Sequence, residues 1–493
     1  MRRINEAFRY YKSVESLFEL DQWSGLPVRG AAYRQKTAAF IGEKKAELFF
    51  TDEAKAAYGY YKDVPASELG DEIAQGLVRL FLTRYENATR VPEELMRSYN
   101  LIRTDAMNAW KQAREEKDYR LFEPWLKKAF DLKREIALSI RPEAPAFDTL
   151  IGLTDAGLKS DLVSREFDVL KTGITNLLQR IGKSSVKVDA SMFRQEQDEE
   201  TVLAFGRRLA HDIGYNEEKG GFNHRVIHGF TSFMGPQDAR ISTQRSGNLH
   251  LLFTCLHEAG HAMYATGGSD EINENGLWGG VEGGFHEANA RFYENIIGKS
   301  RAYWKHYYQQ LQEVFPSFRD VSPEAFYLAL HEVKPSLRRI EADEVTYSLH
   351  VILRYELERD YFAGRLDAAD MAKAWDDKCE EYFGIRPEND LQGVLQDMHW
   401  AGDYIGYFQS YALGNIYDGQ IRDALLRDVP DVFEDVSTGR FDRLNFFMKE
   451  NIWKYGCSLT SGELMKRVCG SELDAGAFVE YLNEKYAALY QLD

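Results

Sequence analysis

Between Leu249 and Met263 the residues Leu249, Leu252, Phe253, Leu256, Gly260 and Met263 fall on one stripe when placed at about 100° per residue. A chain with this segment must bury a helix here, and whatever else it forms must supply packing for that stripe. Other long runs, Glu94 to Ile140, Ala290 to Val314 and Ser336 to Tyr361, carry charged and apolar residues at the same spacing. Only 12 prolines interrupt the 493 residues. The pattern predicts a predominantly α-helical fold.

No repeat at a fixed period and no Pro/Ser-rich linker divides the chain. It reads as one large bilobal domain over residues 1–493, with an N-terminal helical part over about 1–200 and a core over about 220–420. The least helical stretch, between Gly220 and Gly247, mixes glycine, proline and β-branched residues and predicts a short hairpin or edge strand just before the striped helix. An edge strand placed there could align an extended peptide by main-chain pairing.

His257 and His261 lie together on the flank of the stripe, four residues apart, so their side chains leave successive turns within roughly 5–6 Å of each other. Two neutral imidazoles so placed suit Zn²⁺ or a neighbouring transition metal, and a catalytic site needs a third protein ligand while keeping one position open. Glu258 points about a third of a turn away, which fits a base acting on water rather than a ligand. Glu287 is a candidate third ligand, 287 − 261 = 26 residues beyond the second histidine. Phe285, Ala288, Phe292 and Ile296 form a second helical stripe that would let it face the first helix. The residues alone also allow an ordinary Glu287 to Arg291 ion pair on a solvated face, with Glu271, Glu274 and Glu282 as competing ligands.

Charge and composition narrow the partners. With 78 acidic against 61 basic residues the net charge is −17, which argues against nucleic acid and against acidic membrane surfaces. The opening segment lacks a signal-peptide apolar core and no stretch approaches about 18 uninterrupted apolar residues, so a cytoplasmic protein is expected. Cys255, Cys379, Cys457 and Cys469 form no CxxC pair and are expected to be reduced and mostly buried.

Several segments taken together resemble the carboxypeptidase Taq family of metallocarboxypeptidases. That family's His-Pro-Phe, Asp-x-Arg-Ile-Thr, metal-helix, His-Glu-Ser, Arg-x-x-Ala-Asp and Gly-x-x-Gln-Asp-x-His-Trp elements are matched in order. Here they read His228 to Phe230, Asp238 to Ser242, His257 to His261, His286 to Arg291, Arg339 to Asp343 and Gly393 to Trp400, followed by GYFQSYALGN. The resemblance implies a helical, cleft-bearing metallopeptidase and a homodimer. It implies peptide substrates with a free C-terminus, trimmed with broad tolerance and poorly beside proline, with Glu287 as third ligand, Zn²⁺ as the ion and Co²⁺ able to substitute. Three departures stand out: Gly229 and Gln409 replace prolines, and Ala288 with Asn289 replaces Ser-Gln after the ligand glutamate.

For a metallopeptidase of this kind, Glu258 would take a proton from the attacking water, and a donor must stabilise the tetrahedral oxyanion. His399, Tyr407 and Tyr411 are candidates for that donor. A planar guanidinium can grip a terminal carboxylate with two parallel charged bonds, and Arg240 and Arg339 are the candidates, Arg339 having an alternative partner in Asp343. His228, Asp238, Asp343, Gln396 and Asp397 are read as supporting residues of the site or of its substrate loops. Ligand histidines usually donate their other N–H to a carboxylate or carbonyl. Many HExxH enzymes supply an Asp four residues after the third ligand, where this chain has Arg291, so Glu341, Asp343, Glu344 or Asp397 is expected to serve. The competing readings are an oligopeptidase or dipeptidase on the same architecture and a catalytically silent peptide-binding homologue.

Overall fold

The computed structural model describes residues 1–226, 229–281 and 283–492. They form a predominantly helical fold with one small three-stranded sheet, as the spacing predicts. The chain divides into two compact units. One comprises Met1–Thr89, Val188–Leu330 and Gln420–Glu472, and the other Arg90–Lys187, His331–Gly419 and Leu473–Asp493. Both the N-terminal part of about 1–200 and the core of about 220–420 therefore contribute to each unit. No helix among the described residues is long and apolar enough to cross a membrane.

The first unit contains the sheet, with β1 Gly220–Asn223, β2 Phe230–Gly235 and β3 Asp238–Ser242 in the order β1-β3-β2. β2 and β3 are the expected hairpin, antiparallel with a bulge between Phe233 and Gly235, while β1 adds a parallel strand on the far side of β3. Side chains alternate across a strand, so Thr231 and Phe233 share a face with Ala239 and Ile241, whereas Ser232 lies opposite Arg240 on the other. The helix Arg2–Ser24 lies against β2, where the Ser13 hydroxyl donates to the Met234 carbonyl at 2.5 Å.

The motif helix, His250–Thr266, is buried over most of its circumference, more than the one stripe required. Leu251, Leu252, Phe253 and Leu256 each contribute about 1.5–3 kcal/mol by burial. The small side chains of Cys255, Ala259, Ala262 and Ala265 allow neighbours to close in on the remaining faces. Gly206, on the helix Glu199–Asp212, is one such neighbour: a Cβ there would stand 2.8 Å from Cys255 Sγ.

The predicted long helices are real but broken where local chemistry demands. Glu94 to Ile140 is two helices, Glu93–Glu116 and Glu123–Ile140, because Lys117 turns left-handed (φ 56°) and Pro124 opens the second. Ala290 to Val314 splits into Gly284–Arg291, a π-helical turn Phe292–Ile297, and Arg301–Val314, which Ser300 caps by accepting from the Tyr303 N–H at 3.0 Å. The run from Ser336 to Tyr361 needs correction, since the helix begins only at Tyr347. Asp343 ends the irregular segment by accepting from the Val345 and Thr346 backbones at 2.9 Å each and from the Thr346 hydroxyl at 2.8 Å. Cys255, Cys379 and Cys457 are buried free thiols and Cys469 is half-buried.

Candidate metal centre

The motif helix and the helix Gly284–Arg291 meet backbone to backbone at Gly260. A Cβ there would lie 2.6 Å from the Asn289 carbonyl oxygen and 2.8 Å from Ala290 Cα, so any larger residue would force the helices apart. This approach brings Glu287 to the two histidines. Its Oε2 is 3.8 Å from His257 Nε2 and 3.8 Å from His261 Nε2. One ion bound at about 2.0–2.2 Å would fit among such atoms, and His257, His261 and Glu287 are a three-ligand cluster whose donor atoms lie within 4.8 Å of one another. The donor set, two imidazoles and a carboxylate, suits a transition metal with a position left open.

Both readings of Glu287 meet in one side chain: Oε1 accepts from Arg291 Nε at 2.7 Å while Oε2 faces the histidines. The pair is buried rather than solvated, with Arg291 and Glu287 side chains 11% and 12% exposed. Glu271 and Glu274 are exposed on the short helix Asp270–Glu274. Glu282 and His228 lie outside the described residues.

Behind the two histidines the outer contacts differ. His257 Nδ1 donates to Glu294 Oε2 at 2.9 Å, and Lys299 Nζ holds the other oxygen of Glu294 at 3.0 Å. His261 Nδ1 is instead 2.8 Å from His286 Nδ1. Burial opposes charging of His257, but Glu287 and Glu294 outweigh it and raise its pKa to about 9. Burial, with His257, His286 and Arg291 nearby, pushes His261 well down. The carboxylate behind His257 is thus Glu294, which the sequence reading missed in naming Glu341, Asp343, Glu344 and Asp397. Its signal was its place seven residues after Glu287, nearly two helical turns on.

Glu258 is 5% exposed and its Oε2 accepts from the Thr231 hydroxyl of β2 at 2.7 Å. Burial moves its carboxyl up to about 7, partly offset by His257 and the Thr231 bond. Gly229 approaches from the same strand end, where a Cβ would meet Thr254 Cγ2 at 2.6 Å and Glu258 Oε1 at 3.2 Å. On β3, Arg240 grips Asp238 with two bonds of 2.8 and 2.6 Å, and the strand alternation sets its side chain on the face opposite Thr231.

The second unit gathers most of the remaining predicted residues. Asp397 accepts from Arg339 Nη2 at 3.0 Å and from fully buried Arg354 Nε at 2.6 Å. Burial alone would raise the Asp397 pKa, but Arg354 and Arg339 hold it well below the usual carboxylate range. Gln396 donates to the Leu337 and Gln392 carbonyls at 2.6 and 2.5 Å. His399 Nε2 is 3.1 Å from the Tyr411 hydroxyl, and Tyr407 packs edge-on against Tyr411 at 5.3 Å between ring centres. Asp343, the alternative partner of Arg339, is engaged by the Val345 and Thr346 backbone and the Thr346 hydroxyl instead, and Arg339 lies over the Tyr411 ring at 4.9 Å.

Comparison with known proteins adds an independent line. The family profile described as carboxypeptidase Taq (M32) metallopeptidase matches residues 1–486. Carboxypeptidase 1 of Bacillus subtilis (strain 168) is 30% identical, covering 98% of this chain and 96% of that protein. Thermostable carboxypeptidase 1 of Thermus thermophilus is 33% identical with the same coverage. The crystal structure of M32 carboxypeptidase from Deinococcus radiodurans R1 superposes with a TM-score of 0.92 at 31% identity, covering 99% of both chains.

Proposed function

This chain belongs to the carboxypeptidase Taq (M32) metallopeptidase family and is a metallocarboxypeptidase, and we propose that it uses zinc, with Glu258 as the base, to release C-terminal residues from peptides. Broad side-chain tolerance with poor action beside proline, a homodimer, a cytoplasmic setting and Co²⁺ as an alternative ion complete the proposal. One arrangement carries it: His257, His261 and Glu287 converge while Glu258, one residue along the same helix, is turned by Thr231.

His257, His261 and Glu287 would hold a divalent ion, whose positive charge would acidify water and polarise the scissile carbonyl. Glu258 takes the proton of the attacking water and delivers it to the departing amine. Its Oε2 is held by the Thr231 hydroxyl, so the carboxylate is oriented for both halves of that transfer. His399, Tyr407 and Tyr411 are the proposed donors to the developing oxyanion, and Tyr411, already bonded to His399, has its hydroxyl oriented. Arg339 and Arg240 are the proposed grips on the terminal carboxylate.

Mass spectrometry of a mixed peptide pool incubated with the protein and Zn²⁺ or Co²⁺ tests the reading. A ladder of C-terminal losses is expected. Glu258→Gln should keep its metal and lose on the order of 10²-fold or more in turnover. Internal cleavage without a ladder would favour the oligopeptidase reading, and normal turnover by the Gln variant would remove Glu258 from the mechanism.

A further inference from the structure

His261 and His286 face each other through like atoms, Nδ1 to Nδ1 at 2.8 Å. Two imidazole nitrogens at this distance share a single hydrogen, so one ring donates and the other accepts. The second nitrogen of His286 decides which. Nε2 of His286 is 3.1 Å from the Gly279 carbonyl oxygen, an atom that can only accept, so His286 carries its hydrogen on Nε2. The second nitrogen of His261 agrees from the other end: Nε2 points to the shared ligand position with Glu287 Oε2, and a ligating Nε2 must be bare. His261 then carries its hydrogen on Nδ1, and His286 Nδ1 receives it.

Resting on the proposed ligand set above, we propose that His286 is a positioning residue. It holds His261 in its metal-binding tautomer by accepting from Nδ1, relaying the hydrogen-bond direction from Gly279 to the ligand. The pocket is built for a ring in one orientation. Phe233 of β2 stacks on His286 with centres 4.7 Å apart and planes 28° apart, and Tyr264 lies 5.0 Å away on another side. His286 is 7% exposed. The two ligand histidines are therefore backed unequally. His257 leans on a carboxylate, Glu294, countered by Lys299, whereas His261 leans on a second imidazole. A carboxylate behind a ligand imidazole makes it a stronger donor, so His261 is the weaker of the two and its ring direction rests on His286.

Neutron diffraction from crystals of the zinc-loaded full-length protein, grown in deuterated solvent, reads the arrangement directly. Deuterium is expected on His261 Nδ1 and His286 Nε2, with His286 Nδ1 bare. Deuterium on His286 Nδ1, alone or together with Nε2, overturns the proposal while leaving the three-ligand site standing. Zinc absent from His257, His261 and Glu287 overturns the metal reading and this one with it. Zinc affinity by chelator competition gives a second measure. His286→Asn, whose amide oxygen can take the place of Nδ1, should stay within a few-fold of the natural protein, and His286→Leu should lose roughly 10- to 100-fold. The Co²⁺-loaded absorption spectrum should shift in the Leu variant and return toward normal in the Asn variant. Equal affinity and an unchanged spectrum in the Leu variant would overturn the role.

Discussion

The Thr231 hydroxyl donates to Glu258 Oε2 at 2.7 Å and, more weakly, lies 3.1 Å from the Glu258 carbonyl, so the outer strand of the hairpin holds both side chain and backbone of the proposed base. A bond to a charged group contributes roughly 1.5–3 kcal/mol. Thr231→Val should therefore lower kcat by about tenfold or more with metal content unchanged, and Thr231→Ser should restore most of it. Steady-state kinetics with elemental analysis checks this, and a Val variant with natural kcat would reduce Thr231 to packing.

Glu287 divides its oxygens between Arg291 and the histidines. Glu287→Ala should lose most of its bound metal on dialysis, while Glu271→Ala, altering an exposed residue, should not. Arg291→Gln should fall between, because the carboxylate loses the brace on its other oxygen, Oε1, but not its charge. Full retention of metal by the Glu287 variant would reassign the third ligand.

The two missing prolines now separate. At Gly229 a proline ring would press on Thr254 and on Glu258 Oε1, so Gly229→Pro should reduce kcat by displacing the base. Gln409 is fully buried and its Nε2 donates to Asp155 at 3.1 Å and to the Gly406 carbonyl at 2.8 Å. Gln409→Pro removes both bonds and should lower the thermal midpoint. A variant pair with natural kcat and natural midpoint would make both departures neutral.

Glu358, fully buried on the helix Tyr347–Phe362, accepts from Trp400 Nε1 at 2.7 Å and from the Gly406 N–H at 3.2 Å. Burial raises its carboxyl from the ordinary 4.5 to about 8, with those two bonds acting against the rise. Between these values the folded chain keeps a proton that the unfolded chain has lost, so stability falls as pH rises through the window and levels off above it. Glu358→Gln cannot titrate and should flatten that fall. It also offers one acceptor instead of two, so it should be less stable at pH 5. Thermal midpoints from pH 5 to 9 decide the matter, and an undiminished slope would trace the pH dependence to another group.

The helices and the His257–His261 spacing were legible because both are local: an apolar stripe needs one periodicity, and His257, Glu258 and His261 share one helix. Glu287 was open on the residues alone, because Gly260 reveals the close approach of the second helix only once Asn289 and Ala290 lie against it. Glu294 offered only its place seven residues after Glu287, since no apolar spacing announces the π-helical turn Phe292–Ile297 that carries it. The run from Ser336 misled because its charges keep helical spacing while Asp343, capping Thr346, starts the helix later. His286 and Arg354 each bond a side chain from a distant segment, His261 and Asp397, so their burial was not marked by their neighbours in sequence.

Arg339 carries the last prediction. Its Nη2 bonds Asp397 at 3.0 Å and its Nη1 reaches the Tyr347 hydroxyl at 3.3 Å, while its Nε is buried without a hydrogen-bond partner among the described residues. A buried donor left unmade is costly, and a substrate carboxylate is the kind of group that would satisfy it. Arg240, by contrast, already spends its Nε–Nη2 edge on Asp238. A charged bidentate contact contributes roughly 1.5–3 kcal/mol, about 10- to 150-fold in kcat/KM. Amidating a peptide's C-terminus should cost the natural enzyme at least that much. Arg339→Ala should abolish most of the amidation penalty with metal still bound, and Arg240→Ala should leave more of it in place. Asp397 would keep Arg354 at 2.6 Å in the first variant, so the fold around it should persist. Equal rates on free and amidated peptides with the natural enzyme would remove carboxylate recognition from the mechanism. A penalty that survives Arg339→Ala and vanishes in Arg240→Ala would transfer the grip to Arg240.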